Sequence, residues 1–505
     1  MRDSSGALVS PKPVTVWVIL SAAAAGLTLA LGYLISLDPP WLHLDFHPTN
    51  LRHLLLLIGG LAVAWMMLRY PEAGLLGLIA ILYTNASEVG VRFHHLPSIL
   101  QVFLPVLVLA VVARRLIDPT QRVAWHALMV WLLLYGLVLC ASSAWAANAE
   151  LADAVLAEYA KSLVIVGLVV NLVNSRAMLW RVAWVLVLVG AVLGTISVYQ
   201  VLSSSYGFEW WGFGRIKFAH IVGSHYQPRI TGPLSDPNFY AQALVVLVPL
   251  ALYRFLDEWS LIVKAIAAYA LAVVMLALVF TYSRGGALAA GLVVGLAALH
   301  KRVKWQHLAL GGLLVVPLLL VIPEEFEGRL GTLRQLVPGP ETTVLHADSA
   351  IQERSLLMRS AWQMFVDFPV QGVGAGNYSE HYDEYASRVG SLVSSYEDFG
   401  KERFPHSLYL QVAAETGLIG LTMFGIMIGL AVMAFYRAFS RFASSGDGRS
   451  TSVTVSLALG FVGYLVSSVI LHGDYMRYFW LLVALAIAAD RLAAERAGVK
   501  HPVVP

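Results

Sequence analysis

The chain has 505 residues, of which 58% are hydrophobic and 13% charged, with a formal net charge of +3 and a mean hydropathy of +0.71. Apolar runs of about 18 to 22 residues, the length that crosses a bilayer, recur throughout, which excludes an ordinary soluble domain, and so small a basic excess argues against nucleic acid as a partner. The only cysteine, Cys140, lies inside an apolar run, which removes a disulfide framework and a cysteine-based metal site from consideration.

The first apolar run, 14–35, follows Arg2 and Lys12. Its small residues lie inside the apolar core, so it reads as a spanning helix rather than a cleaved signal. Further spans are expected near 53–69, 72–87, 97–114, 124–142, 153–173, 178–202, 237–255, 261–281, 285–300, 307–322, 417–437, 452–472 and 475–490. The expectation is an all-α polytopic membrane protein of about fourteen transmembrane helices. With the N-terminus inside, the cytoplasmic segments hold Arg114, Arg115 and Arg122, then Arg176 and Arg181, Arg254 and Lys264, and Lys301, Arg302 and Lys304. Arg437, Arg441 and Arg449 follow, and the tail carries Arg491, Arg496 and Lys500. The short loops on the other side hold only Arg52, Arg92, Arg284 and Arg477. This bias of Lys and Arg places both termini in the cytoplasm and calls for an even number of spans.

Two segments on the outer side are long, one near 203–236 and one near 323–405. Long connections in compact proteins are usually functional or disordered. The second has a helix-like stretch, Ile351 to Phe368, spaced aromatics and a turn-forming Gly372-Val373-Gly374-Ala375-Gly376, so it is expected to fold as a helical cap. The expected organisation is an N-terminal bundle (1–203), helices with an outer loop carrying Arg229 and Arg284 (204–322), the cap (323–405), C-terminal helices starting at His406 (406–490) and a tail (491–505). The cap's carboxylates, among them Glu324, Glu325, Glu327, Asp383 and Glu384, show no metal-site spacing. Trp210-Trp211, with Tyr206 and Phe208, reads as a membrane-interface belt or as stacking surface for sugar rings.

Three basic groups fall on the outer side at or next to helix ends: Arg229, Arg284 and His406. An arginine between two apolar runs, as in Tyr282-Ser283-Arg284-Gly285-Gly286, is costly unless it meets a cavity, a carboxylate or an anionic ligand. Its planar fork suits phosphate, and the two glycines would let a bulky ligand approach; a snorkelling interfacial arginine is the plainer reading. Arg229 reads either as an anion ligand or as a loop residue paired with Asp236, while Asp236-Pro237-Asn238 reads as a turn and cap for the next span. Lys161 lies near the outer end of a span and is expected to pair with Glu158 or snorkel. Asp236, Asn238, Tyr282, Ser407 and Lys161 are kept as secondary site candidates.

His406 stands in Phe404-Pro405-His406-Ser407, where the long polar segment meets an apolar run. A neutral imidazole, unperturbed pKa about 6.5, accepts a proton from a hydroxyl near neutral pH. Pro405 restrains the chain before the helix, Ser407 is suited to cap it, and Gly417 and Gly420 are small enough for close helix packing. Glu415 follows by nine residues, about 13 Å on a continuous helix, too far for a hydrogen-bonded pair.

His406-Ser407, then Leu408 to Thr416, then Gly417-Leu418-Ile419-Gly420 match a signature in which a histidine followed by Ser, Asn or Gln is separated by nine residues from G-x-x-G. On this motif the chain resembles the O-antigen ligase and polymerase superfamily of bacterial envelope glycosyltransferases. The Arg229 segment, Ser283-Arg284-Gly285-Gly286 and Gly374-Ala375-Gly376-Asn377 also look like that family, so the resemblance spans about Arg229 to Thr422. It implies a class C glycosyltransferase-like membrane fold with a large periplasmic loop, in the bacterial inner membrane, with the active site facing the periplasm. It also implies an undecaprenyl-diphosphate-linked glycan donor, a lipid- or glycan-hydroxyl acceptor, and inverting transfer with neither metal nor cofactor. Carried onto this chain, the resemblance makes Arg229 and Arg284 the diphosphate clamp and His406 the base. The rival within the class is a polymerase whose acceptor is a second lipid-linked repeat. A flippase for the same lipid would call for ionisable residues near mid-membrane and repeats between halves, and the sequence has neither.

Overall fold

The computed structural model describes residues 48–117, 124–220, 226–302, 349–389, 403–474 and 476–498. Along the chain these form α1 (Pro48–Arg69), α2 (Pro71–Tyr83), α3 (Ala86–His94), α4 (Ile99–Ile117), α5 (Ala127–Ser142), α6 (Ala149–Leu172) and α7 (Arg176–Leu202). A hairpin of β1 (Arg215–His220) and β2 (Tyr226–Gly232) comes next, then α8 (Pro237–Asp257), α9 (Leu261–Phe280) and α10 (Arg284–His300). The remaining helices are α11 (Ser349–Asp367), α12 (Tyr378–Arg388), α13 (Leu408–Ser444), α14 (Gly448–Ser467) and α15 (Met476–Arg496).

Short polar side chains start many of these helices by accepting backbone N–H groups that have no partner within the first turn. Asn148 caps α6, Ser175 caps α7, Asp236 caps α8 with Pro237 in the first turn, and Ser283 caps α10. The long apolar runs between caps then bury against one another. α8 and α15 are the most enclosed: α8 packs against α14, α9, α10 and α7, and α15 against α13, α6 and α14. At the end of the bundle away from His406, the buried Asp490 carboxylate is held by Arg441 at 2.7 Å, Arg437 at 2.9 Å and His126 at 3.2 Å. These contacts tie α5, α13 and α15 together.

Among the described residues eight helices are long and apolar enough to cross a membrane, or nine if the bent pair α2 and α3, inclined at 58°, makes one span. The expected runs 14–35 and 307–322 lie outside the described residues, and each of the other expected positions holds a helix. Several of those helices fall short as spans, α10 for instance with 17 residues, so the described residues do not reach the expected count of about fourteen. The helical architecture carries one unexpected element, the antiparallel hairpin β1–β2 in the outer segment before α8. Arg229 therefore sits on a strand, with Lys217 directly across the ladder, rather than at a helix end.

The described part of the cap is α11 and α12 joined by residues 368–377, around a core of Leu357, Ala361, Met364, Tyr378, Tyr382 and Ala414. Its attachment depends on a break in α13. Gly417 has φ 63° and ψ −161°, a conformation essentially reserved for glycine. Leu418 N–H donates to Pro369 O at 2.8 Å instead of continuing the helix, and the carbonyls freed by the break accept from the cap: Ala414 O from Val373 N at 2.8 Å, Glu415 O from Gly374 N at 3.0 Å. The Glu415 carboxylate accepts Gly376 N at 3.0 Å. Gly372 and Gly417 allow this approach, because a Cβ on either would come within 2.5 Å of backbone on the other side. Gly417 thus docks the cap rather than a neighbouring helix, and Gly420 lies against the side chain of Thr416 in its own helix. Asn377 adds a second attachment, accepting Asn148 N–H at 2.6 Å and donating to Asn148 O at 3.1 Å.

Gly417→Ala is expected to destabilise the protein by roughly 2 kcal/mol or more, from left-handed backbone strain and the clash with Val370 O. Thermal unfolding in detergent measures it, and an unchanged melting temperature would show that the break does not depend on glycine.

Candidate functional site

The first wall is built by β2, the start of α8 and the α9–α10 junction. Arg229 is 6% exposed and its Nε donates to Thr281 O at 2.9 Å, while Nη2 donates to Asn238 Oδ1 at 3.3 Å. Asn238 is itself held by Asp236, whose Oδ1 accepts the Asn238 backbone N–H at 2.7 Å and Nδ2 at 2.9 Å. Asp236 is thus the cap and turn residue it was expected to be, and Asn238 orients Arg229. Asp236 also lies 3.8 Å from Lys217.

Thr281, the acceptor for Arg229, is followed by Tyr282 in a left-handed conformation (φ 52°), by the cap Ser283 and by Arg284 as the first residue of α10. Arg284 is 9% exposed, so it is enclosed by protein and does not snorkel. Gly285 and Gly286 serve packing rather than ligand approach: a Cβ at Gly285 would meet Ile470 at 2.1 Å, and one at Gly286 would meet Ala241 at 2.7 Å. The two arginines, far apart in the chain, are brought to one corner through Thr281.

The second wall is the start of α13 and the connection from α14 to α15. Ser407 caps α13, its Oγ accepting Leu410 N–H at 3.5 Å, so His406 precedes the helix in a left-handed conformation (φ 48°). Leu408 N–H is shared between Ser468 O at 3.0 Å and Leu471 O at 2.7 Å, and Gln411 Oε1 accepts Gly473 N–H at 2.8 Å. These bonds bring His472 against the site. Its ring stacks on Phe404 (centroids 4.3 Å, planes 1° apart), meets His406 edge-on at 5.4 Å and meets Phe239 of α8 at 4.9 Å. Phe239, adjacent to Asn238, joins the imidazole wall to the arginine wall.

Burial lowers the His406 imidazole to a pKa of about 4, helped by the positive charge of Arg354 on the cap and opposed by Asp236. His472 is lowered to about 3 by burial and by His406. Both rings are neutral at physiological pH. Their Nδ1 atoms are buried without a hydrogen-bond partner among the described residues. Nearby, burial and the charge of Glu88 raise Asp474 to about 6. Arg477 Nη2 donates to Asn85 Oδ1 at 2.7 Å, and Asn85 Nδ2 donates to Pro233 O at 3.0 Å, which closes the bend of α2–α3 over the end of the hairpin.

His406, Ser407, Arg229, Arg284, Asp236, Asn238 and Tyr282 gather at one end of the bundle. Lys161 is not among them: it pairs with Glu158 at 2.5 Å on an exposed side of α6. It lies twelve residues from Ala149, about 18 Å along the helix and so near the middle rather than the outer end. The aromatic group forms its own cluster, with Trp210 edge-on to Tyr199 at 5.3 Å and to Phe208 at 5.1 Å. Sequence reasoning missed His472, Phe239 and Arg354. A signal for His472 was visible in His472-Gly473-Asp474, a polar tripeptide between two apolar runs.

Residues 267–425 match the family model described as O-antigen ligase. The matched stretch contains Arg284, the cap, His406 and the break at Gly417, so the resemblance read from the His406 motif is borne out there; Arg229 and His472 lie outside it. The chain is also similar to the teichuronic acid biosynthesis protein TuaE of Bacillus subtilis (strain 168), 25% identical over 151 residues. That similarity covers 30% of this chain and 28% of the relative's length.

A reaction that uses neutral His406 as a base is expected to keep its rate well below pH 6.5 and lose it only as pH falls through about 4, where the ring gains its proton. The acidic limb of kcat/KM against pH measures this. A limb near pH 6.5 would mean that the ring is solvated in the working enzyme.

Proposed function

We propose that the protein is a membrane glycosyltransferase that moves an oligo- or polysaccharide from undecaprenyl diphosphate to an acceptor hydroxyl at the periplasmic face of the bacterial inner membrane. The observation that carries this reading is the placement, at one end of an apolar bundle, of a half-buried imidazole held neutral by desolvation and of two buried arginines on the facing elements. Neutral His406 is suited to take the acceptor proton. Arg229 and Arg284 are suited to a diphosphate, whose oxygens match a planar guanidinium fork. Lys217, across the ladder from Arg229, adds to the positive side of the site. Asp236, 3.8 Å from the exposed Lys217 ammonium, offsets part of that charge.

In the proposed step the acceptor O–H gives its proton to His406 as its oxygen attacks the anomeric carbon from the face opposite the diphosphate. The new bond is from that oxygen to the anomeric carbon. The bond that breaks joins the anomeric carbon to the diphosphate oxygen, which leaves with the electron pair and the configuration inverts. Negative charge grows on the leaving group as the bond lengthens, so arginines fixed in advance lower the barrier without reorganising. The match to the O-antigen ligase family model supports this class of chemistry. The name of the Bacillus relative, a teichuronic acid biosynthesis protein, is compatible with the related reading in which the acceptor is a second lipid-linked repeat and the product is a longer chain.

Reconstitution with a lipid-diphosphate glycan and candidate acceptors, including a second lipid-linked repeat, tests the reading. His406→Ala is expected to lower kcat by about 100-fold or more. Turnover should persist in chelator if the arginines alone meet the diphosphate charge. Retained turnover in His406→Ala would remove the histidine as base, and loss of wild-type activity on chelation would overturn the metal-free mechanism. Arg284→Lys is expected to raise the donor KM about tenfold, because a point charge cannot reproduce a two-pronged contact; an unchanged donor KM would count against its role in the clamp.

A further inference from the structure

His472 is buried at 8% exposure and lies outside the stretch that matches the O-antigen ligase family model. Its ring is held on two sides by Phe404, stacked at 4.3 Å, and Phe239, edge-on at 4.9 Å. A third side meets the edge of His406 at 5.4 Å. The backbone bonds from Leu408 to Ser468 and Leu471 set the same relation between the two chain segments. The arrangement is thus over-determined, yet the Nδ1 atoms of both imidazoles lack a hydrogen-bond partner among the described residues. A buried polar atom left without a partner costs about 1–3 kcal/mol, and such atoms in folded proteins usually answer to a bound water or ligand. Two such atoms lie here on rings whose centroids are 5.4 Å apart, close enough for one small polar group to serve both.

We infer that His472 and His406 form a two-imidazole slot for the acceptor hydroxyl, with His472 donating to the hydroxyl oxygen and His406 accepting its proton. This rests on the glycosyl-transfer reading and names a second residue on the acceptor side of that site. The chemistry is complementary. A hydroxyl offers one proton and two lone pairs, and a neutral imidazole offers one N–H and one bare nitrogen. One ring can therefore anchor the oxygen while the other removes the proton. The anchor leaves a second lone pair on the oxygen to attack the anomeric carbon. His472 undergoes no net change in protonation; it fixes where the nucleophile sits, which is worth rate when the reacting atoms must be aligned. The slot lies on the imidazole wall, across Phe239 from the arginines, as it must if acceptor and leaving diphosphate occupy opposite sides of the transferred sugar.

Two substitutions separate the nitrogen from the ring. His472→Phe keeps the stack on Phe404 and removes the donor, and His472→Asn supplies an amide N–H near the Nδ1 position. The reaction is followed in reconstituted membranes with the donor and acceptor that wild type turns over, and melting temperature is recorded for each protein. The expected result is an acceptor KM raised about tenfold or more in His472→Phe, an unchanged donor KM and an undiminished melting temperature, with part of the acceptor KM restored in His472→Asn. A wild-type acceptor KM in His472→Phe overturns the slot and leaves the glycosyl-transfer reading standing. A rise in both KM values with a lowered melting temperature also overturns it, by showing that the ring serves packing alone. Failure of the wild type with every lipid-diphosphate donor and hydroxyl acceptor defeats the functional reading, and the slot falls with it.

Discussion

Gly417 interrupts a helix that would otherwise run unbroken from Leu408 to Ser444, and the backbone groups released there are the ones the cap uses. In a continuous helix Leu418 N–H would bond Ala414 O. Here the two part, Leu418 to Pro369 O and Ala414 O to Val373 N–H, so residues 369–377 complete the helix's hydrogen bonding. An unpaired backbone group in an apolar surrounding costs several kcal/mol, which makes the exchange obligatory once the glycine has turned the chain. The consequence reaches His406, because the first turns of α13 between His406 and the break are fastened to the cap on one side and to the α14–α15 connection on the other. The base candidate sits in a left-handed conformation that costs about 1–3 kcal/mol, and these two fastenings maintain it.

The site is the meeting of two walls, each fixed by hydrogen bonds or ring contacts between segments distant in the chain. On one, Arg229 is held to Thr281 O and through Asn238 to the cap residue of α8. On the other, His406 and Phe404 grip His472, which is placed by the end of α14. Phe239 spans the two. The arginine corner, with Lys217 beside it, is charged and suited to an anion, whereas the imidazole wall is aromatic and neutral. That separation fits a reaction in which negative charge appears on one substrate while a proton leaves the other.

Low dielectric works in opposite directions on these walls. It weakens the protonated state of the imidazoles, so His406 and His472 stay bare and able to accept or donate singly. On the proposed reading it strengthens the pull of the arginines on a phosphate oxygen. The same burial that keeps an imidazole neutral would thus also strengthen the proposed clamp, and the cap adds the positive charge of Arg354 near His406 to the first effect.

Local pattern in the sequence alone determined the helices, the caps and the family signature. Apolar run length located the helices, short polar residues before those runs located caps at Asp236 and Ser407, and the spacing from His406 to Gly417 and Gly420 pointed to the family later matched over residues 267–425. It also identified Arg229 and Arg284 as basic groups at the end of the bundle that holds His406. Only the tertiary structure decided how these groups face one another. The hairpin under Arg229 escaped notice because six or seven residues without strict alternation do not announce a strand. The work of Gly417 could not be seen because a glycine at the start of an apolar run reads as a packing site until its torsion angles are known. His472 looked like the last residue of a span because its importance lies in rings supplied by residues 404, 406 and 239, and no sequence pattern carries contacts between segments that distant. Lys161, kept only as a secondary candidate, pairs with Glu158 as its sequence position led one to expect, on an exposed face of α6.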